Sequence, residues 1–247
     1  MKFDNKVSFK VSGVNALFTD PLTKIGGEKS TLMVPTYQSL KAICESIYWK
    51  PSITWIVDKV TVLKPIVTER KGIRPIKYNG GNDLAYYTYL RDVAYIVEAH
   101  FEFNKNRMDL KEDWNENKHY YIMKRCISRG GRRDVYLGTR ECQAYVEEVD
   151  DIEESYYKNM GTMEFGFMYH SFSYPDENGR DVLESLFWRP KMENGVIRFC
   201  RPEECEQRLL IKEMSAKKFD DGNFVKAGEE DPDLLVGYKE EVGRWDG

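Results

Sequence analysis

From Val7 the chain alternates between apolar and polar residues. Val7, Phe9 and Val11 fall on one side and Ser8, Lys10 and Ser12 on the other, up to Gly13. A period of two predicts an opening strand with one buried face. After the loop DPLTKIGGEKS the period changes: Leu40, Ile43, Cys44 and Ile47 recur at i, i+3, i+4 and i+7, the apolar stripe of a helix. Pro35 and Thr36 mark its start, with Thr36 as the N-cap, and Pro51 ends it at Lys50.

ITWIVDKVTVLKPIV, rich in β-branched residues, predicts a second strand broken near Pro65, and GIRPIKYNGGND predicts a loop turning at Gly80-Gly81. A long strand is expected from about Tyr86 to Phe103. Tyr95, Val97, Ala99, Phe101 and Phe103 line one of its faces, and Glu98, His100 and Glu102 the other. NENKHYYIMKRCISRGG predicts a second helix, capped by Asn115, striped by Ile122, Met123, Cys126 and Ile127, and ended by Gly130-Gly131. A strand from about Asp134 to Val146 follows.

Strand, helix, strand, strand, helix, strand is the order of a ferredoxin-like, split βαβ domain, so the expected class is α+β. RRM-like RNA-binding modules use the same order to present an open four-stranded sheet. The acidic run EEVDDIEES at 147–155 reads as a boundary, and MEFGFMYHSFSY and GVIRFC beyond it read as strands. The expected division is a ferredoxin-like domain at 1–148, a small antiparallel β unit at 149–214, and an acidic, aperiodic tail at 215–247 that is expected to be mobile.

Composition adds limits. With 41% hydrophobic and 32% charged residues, the 247-residue chain suits one or two globular units rather than a disordered segment. No stretch nears the roughly 20 apolar residues of a membrane span, and MKFDNKVSFK lacks an apolar signal region, so a cytoplasmic protein is expected. The five cysteines, at 44, 126, 142, 200 and 205, show no CxxC spacing and read as small buried hydrophobes, with no metal and no cofactor expected.

The net charge of −4 conceals an asymmetry. Residues 1–140 hold 24 Lys+Arg against 15 Asp+Glu, a balance of +9, and the remainder holds 13 against 26, a balance of −13. A basic first part is expected if it meets a polyanion.

No GxSxG, Walker A or HExxH sequence is present, which removes the common hydrolase and nucleotide-binding motifs. Of three histidines, His100 reads as a solvated partner of carboxylates and His170 as an aromatic packing residue. His119, in the first turn of the second helix beside Lys118, is either a core histidine closing the apolar stripe or a group placed at the sheet's end. SRGGRR follows that helix. Its glycines let backbone N–H groups approach a phosphate that Arg132 and Arg133 neutralise, or it is a helix cap with two solvated arginines.

ESIYWKP at 45–51, NENKHYYIMKR at 115–125 and RGGRRDVYLGTREC at 129–142 together resemble the RAMP superfamily of CRISPR systems. The likeness is to the type I-C (Dvulg) member of the fifth CRISPR-associated protein family. GVNALFTDP at 13–21 and VPTYQSLKAICESIYWKP fit the same family's opening, and the resemblance runs from about residue 3 to 210. It implies an endoribonuclease that cuts the CRISPR RNA precursor within each repeat and stays on the 5′ handle of the mature guide, as a subunit of the type I-C surveillance complex.

Carried over by position, the family's catalytic tyrosine matches Tyr48, and its lysine and histidine match Lys118 and His119. The implied RNA-contacting set is Lys124, Arg125, Gly130, Gly131, Arg132, Arg133 and Arg140. Metal-free RNA cleavage needs a base for the 2′-OH, an acid for the departing 5′-oxygen and a cation on the phosphorane. His119 suits the acid, Tyr48 the base if a cation lowers its pKa, and Lys118 that cation. Two other readings compete: a non-catalytic subunit that binds the RNA handle, and a duplex-DNA-binding subunit of the complex.

Overall fold

The alternation that opens the chain becomes strand β1 (Val7–Ala16), with Phe9 and Val11 wholly buried. The structure, a computed structural model, describes residues 5–24, 27–149 and 153–216; the predicted mobile tail beyond 216 and the middle of the acidic run lie outside these. A short helix α1 (Pro21–Lys24) precedes helix α2 (Tyr37–Ile47). Thr36 caps α2 as expected, its side chain accepting from Ser39 N, and the Leu40, Ile43, Cys44 and Ile47 stripe is buried. The helix stops three residues short of Lys50, because Tyr48 turns into extended backbone at φ −157° and ψ 125°.

Strand β2 (Ile53–Val62) is followed by β3 (Thr68–Ile73), a segment the sequence pattern left in a loop. Its charged residues conceal the pairing, since β3 is a partly exposed edge that meets only the first part of β4 (Ala85–Phe103). Helix α3 (Glu116–Ser128) begins at the predicted Asn115 cap, whose side chain accepts from Lys118 N. The strand expected over 134–146 is divided into β5 (Val135–Tyr136) and β6 (Gln143–Glu148) by a turn in which Leu137 N donates to Cys142 O.

Beyond this come β7 (Thr162–Glu164), β8 (Met168–Ser173), helix α4 (Pro175–Asn178), β9 (Val182–Trp188), β10 (Lys191–Glu193), β11 (Val196–Arg198) and β12 (Gln207–Glu213). The main sheet runs β5-β6-β1-β4-β2-β11-β10-β7, and a second, three-stranded sheet runs β12-β9-β8. Every strand pairing in both sheets is antiparallel. The architecture is thus mixed α and β, largely antiparallel sheet with few helices. Residues after the acidic run do not all form a separate sheet, because β11 extends the main sheet from its β2 edge.

Helices α2 and α3 cover one face of the main sheet, α2 over β2 and α3 over β6 and β1. Trp55, Phe9, Phe101, Leu40, Ile43, Ile47 and Met123 fill the space between, each under 3% exposed. Because both helices pack on the same face, the end of α2 and the start of α3 are held against one core.

The GVNALFTDP and YLGTRE segments meet where Leu17 N donates to Leu137 O at 3.0 Å. Gly138 there has φ +93°, and a Cβ on it would lie 2.0 Å from Leu17 O, inside hard contact. The glycine of that motif is therefore required by packing. Gly138→Ala should cost about 3 kcal/mol or more, by strain plus displaced backbone. Urea unfolding would show this as a lower midpoint with an unchanged slope.

Candidate active site

Tyr48 is the C-cap of α2; its N–H donates to Cys44 O, and its carbonyl accepts from Trp55 Nε1 at 2.7 Å. Those two bonds fix the backbone and direct the phenol toward the start of α3. His119 lies one turn into α3 on the face that meets the core, and both side chains are enclosed, at 1% and 0% exposure. Tyr48 Oη lies 2.8 Å from His119 Nδ1, and His119 Nε2 lies 2.8 Å from the Asp113 carbonyl oxygen. A carbonyl only accepts, so Nε2 carries the proton, Nδ1 offers a lone pair, and the Tyr48 hydroxyl donates to it. Phe101 and Phe103 stand edge-on to the imidazole, and Trp114 stacks on Phe103 at 5.3 Å.

Asp113 organises the mouth of this site. It ends the 3-10 turn Met108–Asp113, in which no residue is buried, and its carboxylate accepts from Ser52 Oγ and from Lys118 Nζ. Partial burial by itself would raise the Asp113 carboxyl, but hydrogen bonds from Lys118 and Ser52, with His119 nearby, outweigh it and hold the group below the ordinary carboxylate range.

Tyr48 is shifted the other way. Burial first, then the charge of Asp113 and the nearby Cys126, push its phenol up to about 12, with Arg132 acting in the opposite direction. Two sequence expectations change here. The cation that acts on Tyr48 is Arg132, while Lys118 is half-exposed and paired with Asp113. Burial thus raises the phenol rather than lowering it, and the RNA-free site favours the hydroxyl over a tyrosinate.

The glycine-rich loop is placed differently from the phosphate-cradle expectation. Gly130 and Gly131 donate their N–H groups to Ile127 O and Cys126 O, closing α3, and Arg132 and Arg133 donate theirs to Ile47 O and Ser46 O, closing α2. The backbone donors are thus spent on two helix ends, which follows from the left-handed φ of +80° at Gly130 and +108° at Gly131. What remains for a phosphate is side chains. Arg132 and Arg133 are exposed beside a depression of about 420 Å³ lined by residues 129–135 and 143–147.

Lys124 and Arg125 lie exposed on α3, and Arg140 lies exposed in the turn between β5 and β6. Among the described residues, none of these five cations is in an ion pair.

Sequence reasoning missed Asp113 and Ser52. Asp113 stands two residues before the Asn115 cap, and only its 3-10 turn gives it a role. His100 does face carboxylates, Asp58 at 2.9 Å and Glu102 at 3.7 Å, while Glu98 pairs with Lys59. His170 packs among aromatics, stacked on Tyr37 at 4.4 Å. No helix among the described residues is long and apolar enough to cross a membrane.

The sequence model described as CRISPR-associated protein (Cas_Cas5), of the Cas_Cas5d family, matches residues 7–200. A curated protein of Mannheimia succiniciproducens, named CRISPR pre-crRNA endoribonuclease Cas5d, is 28% identical over 221 residues, covering 78% of this chain and 94% of that protein. A Thermus thermophilus protein of the same name is 28% identical over 195 residues, covering 75% and 80%. Among solved structures, one described as a CRISPR-associated protein superposes with a TM-score of 0.71 at 39% identity, covering 83% of this chain and 96% of that one. The functionally uncharacterized protein SMU1763c from Streptococcus mutans gives 0.70 at 41% identity over the same shares.

Because the Asp113 carboxyl is depressed, its contribution to stability is present above the unfolded pKa, near 3.9, and is lost as pH falls through the folded value. Asp113→Asn should therefore be less stable than the parent at pH 7, with a smaller gap at about pH 3, below the unfolded pKa. Urea midpoints of both proteins at the two pH values measure this.

Proposed function

Because the chain belongs to the CRISPR-associated Cas_Cas5d family, matched over residues 7–200, we propose that it cuts CRISPR precursor RNA within the repeat and stays bound to the 5′ handle of the guide as a complex subunit. The observation that carries the reading is the Tyr48–His119 hydrogen bond, with Lys118 at its mouth and Arg132 near the phenol. The pre-crRNA endoribonuclease name of the relatives from Mannheimia and Thermus supports the same activity. The β6-β1-β4-β2 order, with α2 and α3 on one face, supports a ferredoxin-like, split βαβ reading of residues 1–148 as the RNA-binding domain. Residues 149–214 are then its β appendage and 215–247 its acidic tail.

The chemistry uses the neighbouring 2′-OH as nucleophile. The 2′-oxygen bonds to phosphorus, the P–O5′ bond breaks, and the products are a 2′,3′-cyclic phosphate and a 5′-OH, without need of a metal. Since the Tyr48 phenol stays protonated, it takes the 2′-OH proton as it passes its own to His119 Nδ1. His119 releases its Nε2 proton to the 5′-oxygen once the Asp113 carbonyl yields that position. One imidazole thereby serves as final base and as acid, and no tyrosinate forms. Lys118, leaving Asp113, offsets charge on the phosphorane.

The enclosure of Tyr48 and His119 favours a second reading, a subunit that binds the handle without cutting it. Single-turnover cleavage of the chain's own repeat RNA, with EDTA added together with the RNA, separates the two. The proposal expects one cut and a cyclic phosphate end, with His119→Ala and Tyr48→Phe each slower by about 10²–10⁴-fold. Tight binding with no cut by the parent, or full activity in both variants, would refute it.

Arg132→Ala and Arg133→Ala should each weaken repeat binding and flatten the log K against log salt slope by about one. Equal affinity for random duplex DNA at the same salt would point to the duplex-binding reading instead.

A further inference from the structure

His170 of β8 and two cysteines that flank the turn after β11 come together away from the Tyr48 site. The coordinating atoms of His170, Cys200 and Cys205 lie within 4.8 Å of one another, with His170 and Cys205 buried and Cys200 half-buried. His170 stands 30 residues from Cys200 in the chain, so no sequence spacing marks the group. We propose that His170, Cys200 and Cys205 bind one zinc ion through an imidazole nitrogen and two thiolates.

Geometry supports the assignment. The two sulfurs are 3.9 Å apart. Two thiolates on one tetrahedral zinc, at about 2.3 Å each, stand about 3.8 Å apart, whereas a disulfide holds its sulfurs at about 2.05 Å. His170 Nδ1 lies 2.8 Å from Ser171 Oγ and Nε2 lies 3.2 Å from the Cys200 carbonyl; the hydroxyl can accept the ring proton at Nδ1, so on metal binding Nε2 gives up the carbonyl and turns its lone pair to the ion. Its ring is clamped by Tyr37, stacked at 4.4 Å, and by Trp188 edge-on at 5.3 Å, so it reaches the cysteines without ordering cost on binding.

Two thiolates and an imidazole select a borderline-soft ion such as Zn²⁺ over Mg²⁺ or Ca²⁺, which prefer oxygen ligands. Among the described residues no fourth Cys, His, Asp or Glu joins the cluster, which leaves a fourth position for water.

The consequence is mechanical. A metal would bind the Cys200–Cys205 turn to β8, and that turn carries Arg201, whose guanidinium reaches Glu102 on β4 at 2.7 Å. It would thus staple the second sheet to the first. The site is also independent of the RNA chemistry. His170 stacks on Tyr37, and from there to Tyr48 is about 16 Å along α2 at 1.5 Å per residue.

The full chain, purified under reducing conditions without chelator, should contain about one zinc per chain by elemental analysis and should exchange it for Co²⁺ with the visible bands of a tetrahedral thiolate site. Cys200→Ser should lower zinc affinity by about 10-fold or more, while Cys142→Ser, outside the cluster, should retain it. In the parent itself, added zinc should slow alkylation of Cys200 and Cys205, a measurement that does not depend on any variant folding. A folded parent with neither zinc nor tetrahedral cobalt bands overturns the proposal. So does alkylation unaffected by zinc, or a Cys200–Cys205 disulfide that forms in its place. None of these readings involves RNA, so their failure leaves the cleavage proposal untouched, and the reverse holds.

Discussion

The hydrogen bond from the Tyr48 phenol to His119 Nδ1 joins the end of one helix to the beginning of the next, and the surrounding structure can be understood as what holds it. Burial makes it strict. An unpaired hydroxyl or ring nitrogen in that enclosed space would cost about 1–3 kcal/mol, so neither side chain can be left without its partner. Trp55 anchors the Tyr48 carbonyl, the Asn115 cap sets the first turn of α3, and Asp113 supplies the acceptor that fixes the imidazole tautomer. Trp55 comes from β2 and the other two from the turn that leads into α3, and the shared sheet face makes them converge.

The glycine loop belongs to the same constraint. Its N–H groups close both helices at once, donating to carbonyls at the ends of α2 and α3. The loop therefore sets the distance between those ends, and leaves Arg132 and Arg133 exposed, with Arg132 near enough to act on the Tyr48 phenol. Capping and phosphate contact are usually alternatives for a Gly-Gly-Arg-Arg stretch. Here the backbone does the first, which leaves the side chains available for the second.

What was legible in the sequence follows the range of the signals. Thr36 and Asn115 were readable as caps because capping is local, and the α2 stripe because its period repeats within one helix. His119 was readable as a stripe residue, yet what makes it more than that lies elsewhere: Tyr48 is 71 positions away, and Asp113 acts through a 3-10 turn with no periodicity. Strand β3 was missed because its residues are charged and only half covered, so no apolar alternation marks it. The pairing of His170 with Cys200 and Cys205 depends on how β8 meets the turn after β11, which no spacing rule expresses. The family motifs named Tyr48, Lys118 and His119 together, whereas the enclosure of the Tyr48–His119 pair and the influence of Arg132 on the phenol needed coordinates.

Enclosure is also the point on which the cleavage reading must be consistent energetically. To reach His119 Nε2, RNA has to displace the Asp113 carbonyl, a neutral hydrogen bond worth about 0.5–1.5 kcal/mol net, and part Lys118 from Asp113, a half-exposed pair worth about 0–1 kcal/mol. The segment that moves is cheap to move, since the Met108–Asp113 turn buries none of its residues. Against this stand five exposed cations that have no ion pair to break among the described residues, each able to release a counterion from a phosphate. Even a fraction of that binding energy exceeds about 2.5 kcal/mol, the combined upper range of the two contacts. A closed Tyr48–His119 pair is therefore compatible with catalysis. In the proposed mechanism it keeps the imidazole in the tautomer that cleavage uses until a bound phosphate replaces the carbonyl, so the same interaction that stabilises the fold would prepare the proton transfer.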